Sequence, residues 1–140
     1  MNRPEYIRTV IHTYLDLPDT PVTASPADFC IAAIFADDGI PVDHVIRAIK
    51  LAFIRRWARD DSAGELPPIR SLAYFKKVLY GLSDEELGTD FALYVDHRFD
   101  AIRPNPIAWL DAQKQMLAGH RPVNTQNGTD GQSPLIPDDR

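Results

Sequence analysis

The chain has 140 residues, 44% of them apolar and 25% charged, with a net charge of −5 and a single cysteine. That is the size and composition of one globular domain that folds on its own core. One cysteine excludes an internal disulfide and fits a reducing, cytoplasmic setting. No run of about 18 apolar residues is present to cross a membrane, and the charged, proline-containing start MNRPEYIRTVIHTYLDL is not a signal peptide.

The charge is unevenly placed. Residues 1–46 and 78–140 each carry a net −5, whereas residues 47–77 carry +5. A basic block between acidic flanks can present a field to phosphates, or the flanks can fold back and neutralise it.

The first helix is predicted from Pro4, whose missing N–H costs nothing in a first turn. Ile7, Val10, Ile11, Tyr14 and Leu15 make its apolar face, and Pro18 and Pro21 end it. A second helix is announced by the cap Ser25, by Pro26, and by Asp28 near the positive helix end. Phe29, Ala32, Ala33, Phe35 and Ala36 form its expected apolar face, with Cys30 packed beside them, and Gly39 closes it. A third and longest helix is expected from Pro41 to about Arg59, with Val45, Ile49, Ala52, Phe53 and Trp57 inward. DDSAGELPP is then a surface loop. A fourth helix is placed over 69–80, with Leu72, Phe75, Val78 and Leu79 inward. Ser83-Asp84-Glu85-Glu86 has the form of a capping box and starts a fifth, with Leu87, Phe91, Tyr94, Val95 and Phe99 as its apolar positions. A sixth opens at Asn105-Pro106, turns Ile107, Leu110, Met116 and Leu117 inward, and stops at Gly119. No strand is expected. The fold class is therefore all-α: a compact bundle of five or six short helices over 1–119, with a disordered C-terminal tail over 120–140, where the chain is polar, rich in Gly and Pro, and aperiodic.

No catalytic or metal signature is found. His12, His44, His97 and His120 lack zinc-site spacing to one another or to Cys30. There is no glycine-rich phosphate loop and no nucleophile elbow. The chain is read as a non-enzyme without cofactor or metal.

The informative stretch is 47–80. Arg47, Lys50, Arg55, Arg56, Arg59, Arg70, Lys76 and Lys77 are interleaved there with Trp57, Tyr74 and Tyr80. Cations paired with stacking aromatics are the elements of single-stranded nucleic-acid binding. The plain alternative is a solvated charged face over core aromatics, with Arg55, Arg56 and Arg59 complementing the negative end of their helix. As partners the charge pattern suggests DNA, single-stranded or duplex, or an acidic protein surface. A protein–protein adaptor with an apolar patch including Trp57 and Trp109 is the second reading.

GIPVDHVIRAIKLAF followed by IRSLAYFKKVLYGL resembles the helical C-terminal module of DnaD-like replication initiation proteins, over about residues 39–82. Ile46, Ala48 and Ile49 match its first part, and Tyr74, Val78 and Leu82 its Tyr-x-x-x-Ile-x-x-x-Trp helix. Leu82 stands where the family has Trp, and Gly81 interrupts the helix before it. The resemblance implies DNA binding during assembly of a replication complex, on a phage or other mobile element. Tyr74 is the carried-over contact, with Lys76 and Lys77 beside it. The nucleic-acid-binding set expected from the residues and the resemblance together is Arg47, Lys50, Arg55, Arg56, Arg59, Arg70, Tyr74, Lys76 and Lys77.

Overall fold

The computed structural model describes residues 1–59 and 67–119. The tail assigned to 120–140 and residues 60–66 of the loop lie outside the described residues. The described residues form six α-helices and a short 3-10 turn, with no strand among them: α1 (Arg3–Leu15), α2 (Pro26–Asp37), α3 (Val42–Trp57), the turn Leu72–Phe75 running into α4 (Lys76–Tyr80), α5 (Thr89–Ile102) and α6 (Pro106–Gly119). None of these helices is long and apolar enough to cross a membrane. The chain divides into a unit over Met1–Pro106 and a second from Ile107, whose described residues continue α6.

Local signals account for the helix starts. Asn2 and Glu5 close a capping box on α1, and Ser25 and Asp28 close one on α2. Each satisfies amide groups that a helix leaves open at its start. Gly39, with φ 74°, follows the Asp38 cap of α2, the left-handed position that a glycine takes without a Cβ penalty.

α3 is the central element. It packs on α1, α4, α5 and the 3-10 turn, and Val45, Ala48, Ile49, Leu51, Ala52, Phe53 and Ile54 are all buried. Phe53 meets Phe99 of α5 edge-on at 5.3 Å, and Tyr14 of α1 meets Phe75 at 5.9 Å. Burying one such ring contributes about 1.5–3 kcal/mol.

Several sequence expectations differ from what is seen; one is Tyr94, expected on the apolar side of the fifth helix, which is 51% exposed on α5. The fourth helix is split: Ile69–Ser71 is non-helical, and only Leu72 onward coils, first as 3-10 and then as α. Ser83 and Glu86 do exchange their capping bonds, at 2.9 and 3.2 Å. They close only a turn, however, and the helix restarts at Thr89 after Gly88. Cys30 and Phe29 are exposed rather than packed inward, because the buried side of α2 is set by Asp28, Ala32 and Phe35. In the second unit, Ile107, Met116 and Leu117 of α6 are exposed rather than inward.

Candidate nucleic-acid interface

Among the described residues, two charged side chains are buried in the core, Asp28 at 1% and Arg56 at 6% exposure. Both hold the same piece of chain. Asp28, on the first turn of α2, accepts the Leu72 backbone N–H through Oδ1 at 2.9 Å and the Ser71 hydroxyl on the same oxygen at 3.4 Å. Its Oδ2 accepts the Ser25 backbone N–H at 2.9 Å. Burial alone would raise the Asp28 pKa, but these bonds from Leu72, Ser25 and Ser71 outweigh it and hold the carboxyl below its ordinary value. Nearby, the Tyr14 phenol is pushed up to about 12, chiefly by burial and then by the charge of Asp28.

Arg56 grips the other end. Its Nε donates to Asp19 Oδ2 and its Nη2 donates to the Pro67 carbonyl at 2.6 Å. The guanidinium carbon also lies 5.9 Å from the centre of the Tyr74 ring, a cation–π distance. Residues 67–75 are thereby fastened from two sides by buried, charge-assisted bonds, which constrain geometry more strongly than neutral ones.

The fastened segment and the α4 helix that continues it show a specific face to solvent. Leu72, Phe75 and Leu79 point inward, while Arg70, Tyr74, Lys76, Lys77 and Tyr80 are exposed. Tyr74 is 43% and Tyr80 58% exposed. The Tyr74 ring leans on Phe75 at 5.1 Å and the Tyr80 ring on Phe35 at 6.3 Å. Each therefore offers an outer face from a supported position. Arg70, Lys76 and Lys77 have no ion pair among the described residues.

The basic residues of α3 are placed differently. Arg47 donates to the Glu86 carbonyl at 3.1 Å, Arg55 to the Glu86 carboxylate at 2.9 Å, and Lys50 to Asp96 at 3.0 Å while lying 5.1 Å from the centre of the Phe99 ring. With Arg56 on Asp19, both acidic flanks fold back onto this helix. Glu86 is held below the ordinary carboxylate value first by the Ser83 backbone N–H, and, against its own desolvation, by the Ser83 hydroxyl and Arg55. The pairs of Lys50 and Arg55, each with one exposed partner, add little stability, but together with the buried Arg56–Asp19 pair they cancel much of the field that α3 would project. Arg59 stands exposed at the end of α3, and Trp57 is half-buried.

Compared with known protein families, with curated proteins and with solved structures, the chain shows no match. The DnaD-like resemblance accordingly stands on the residues that suggested it. Of those, Tyr74 sits in the fastened 3-10 turn, Val78 is half-buried on α4, and Leu82 lies beyond the helix end at Tyr80.

Eight of the nine expected residues thus separate into two groups. Arg70, Tyr74, Lys76 and Lys77 share one short exposed stretch, whereas Arg47, Lys50, Arg55 and Arg56 are engaged by Glu86, Asp96 and Asp19. Arg59, exposed just past the end of α3, belongs to neither. Sequence reasoning did not single out Asp28, Asp19 and Glu86 as the organisers of this surface. For two of them a signal existed in the Ser-x-x-acid spacing at Ser25–Asp28 and Ser83–Glu86, but it reads as ordinary capping. A recess of about 860 Å³ also opens among Thr13, Asp16, Lys50, Asp100 and Arg103. Its charges are mixed, and Arg103 is paired with Asp16 at 2.7 Å. Among the described residues, no group of His, Cys, Asp and Glu is arranged to hold a metal ion.

Proposed function

We propose that the protein is a nucleic-acid-binding accessory domain whose contact surface is the exposed side of residues 70–80. One observation carries the reading. The two charges buried among the described residues, Asp28 and Arg56, both hold residues 67–75, which carry Arg70 and Tyr74 and lead directly into Lys76, Lys77 and Tyr80 of α4. Buried charge is costly unless fully paired. A rigid frame under exposed cations and aromatic faces is what phosphate contacts and base stacking require. The cations supply affinity with little sequence choice, and Tyr74 and Tyr80 supply platforms for unpaired bases. Single-stranded DNA or RNA is therefore favoured over duplex. Replication of a phage or other mobile element is the setting that the DnaD-like resemblance suggests.

The net charge of −5 makes this binding modest and strongly salt-dependent. If three cations meet phosphates, the logarithm of affinity should fall against the logarithm of salt with a slope of about −2 on single strands. Fluorescence anisotropy with a labelled oligonucleotide measures that slope. A flat response, or binding of an acidic peptide in preference to the oligonucleotide, would instead assign the surface to an acidic protein partner.

A further inference from the structure

Tyr74, Lys77 and Tyr80 follow one another at intervals of three residues through the 3-10 turn and α4, and all three are exposed. Residues so spaced are neighbours along one slanting line of a helix surface, which places Lys77 between the two rings. Leu72, Phe75 and Leu79 occupy the buried side. The rings rest on different supports. Tyr74 lies against Phe75 and 5.9 Å from the buried Arg56 guanidinium of α3, whereas Tyr80 lies against Phe35 of α2. They are held apart rather than on each other. Six residues of 3-10 and α rise put their Cα atoms about 10 Å apart along the axis. That is close to three steps of a stacked strand, at about 3.4 Å each.

We infer, resting on the reading of residues 70–80 as a nucleic-acid surface, that the ligand is a pyrimidine-rich single strand whose bases have left their own stack. One base covers Tyr74, a later one covers Tyr80, and a phosphate between them meets Lys77. Adjacent bases that stay stacked on each other cannot reach both rings, because their separation is about a third of the distance. Bases further apart in an intact stack cannot either, because the face that a ring must cover is already covered by the next base. The strand therefore gives up its own stacking between the rings. A purine gains more on a ring than a pyrimidine does, but two ring contacts replace about three internal steps, so the strand that stacks weakly on itself loses least. Runs of thymine or uracil are thus preferred to runs of adenine, a preference set by stacking strength and backbone flexibility rather than by reading base edges. A duplex, whose bases cannot leave the stack, meets the lysines alone.

Competition anisotropy at low salt tests this with strands of equal length: oligothymidylate, oligoadenylate and an abasic strand. Equal phosphate number keeps the counterion-release contribution the same for all of them. The wild type should bind oligothymidylate about tenfold or more tighter than the abasic strand, and tighter than oligoadenylate. A Tyr74→Leu/Tyr80→Leu variant, shown to be folded by circular dichroism, should bind oligothymidylate and the abasic strand alike. Equal affinity of the wild type for those two strands overturns base stacking on the rings while leaving phosphate contacts at 70–80 intact. Oligoadenylate bound as tightly as oligothymidylate, or more tightly, overturns the unstacked strand. No binding of any strand by the wild type overturns the nucleic-acid reading, and this inference with it.

Discussion

Asp28 Oδ1 accepts the backbone N–H of Leu72 at 2.9 Å, joining the first turn of α2 to the start of the 3-10 turn, 44 residues away in the chain. The same carboxylate closes the capping box with Ser25, so one side chain serves two helix starts. Replacing it by Ala leaves the Leu72 and Ser25 amides without their acceptor. Asn restores one oxygen but turns an NH2 donor toward the other amide. Both variants should lose about 3 kcal/mol of stability, the scale of lost charge-assisted bonds plus a buried unpaired donor. Urea unfolding measures this, and a loss under about 0.5 kcal/mol would show that the bond is not structural.

The depressed pKa of Asp28 sets a direction for pH. Between its folded and unfolded values, the unfolded chain binds more protons than the folded one. Its contribution is therefore present above the unfolded value, about 3.9, and is lost as pH falls through the folded one. Stability should drop on acidification below about pH 4, and the Asp28→Asn variant should show a shallower drop over the same range. Glu86, also depressed, adds to the wild-type slope and remains in the variant. Equal slopes for the two proteins would contradict the assignment to Asp28.

Arg56 should be the least replaceable cation of the basic block. Its loss strands Asp19 and the Pro67 carbonyl, at a cost of about 3–5 kcal/mol for breaking a buried pair. Arg56→Lys should recover only part of it, because one ammonium cannot reproduce the planar fork that reaches two acceptors and lies by the Tyr74 ring. Arg55→Ala, at an exposed pair with Glu86, should fall within about 1 kcal/mol of wild type. Thermal or urea unfolding of the three variants tests that order.

Tyr6 and Tyr14 are both pushed up to about 12, Tyr6 by burial and then by Tyr80, Tyr14 by burial and then by Asp28. An alkaline titration followed by ultraviolet absorbance should show a component near 12 that disappears in a Tyr6→Phe/Tyr14→Phe variant. A phenol ionises to an anion, so a raised folded value means these two favour the folded state below the unfolded value, about 10. That contribution fades as pH rises through 12. No change in the high-pH component of the variant would contradict their burial.

The all-α class, expected as five or six helices, and the starts of α1, α2 and α6 were legible because these helices carry local signals: Pro4 and Pro26 in first turns, Gly39 after α2, Asn105 before α6 and Pro106 at its start. The split of the fourth helix was not. Apolar spacing over 69–80 fits a helix equally well, and what keeps Ile69–Ser71 out of it is the pull of Asp28 and Arg56, which come from α2 and α3. The exposed side of α2 was misread for a related reason. Its apolar residues run nearly all round, so spacing alone does not show which side is covered. Charge patterning located the basic block, but it could not show that Glu86, Asp96 and Asp19 close over the α3 residues while Arg70, Lys76 and Lys77 stay open. Those pairings depend on contacts between residues 31 to 46 positions apart.

The most direct test compares two triple variants in anisotropy titrations with a labelled single-stranded oligonucleotide at low salt. One is Arg70→Ala/Lys76→Ala/Lys77→Ala, and the other is Arg47→Ala/Lys50→Ala/Arg55→Ala. Both remove the same charge, so nonspecific attraction falls equally. If residues 70–80 form the contact surface, the first variant loses binding and the second retains most of it. Loss in the second with retention in the first, or no binding by the wild type, would contradict that assignment.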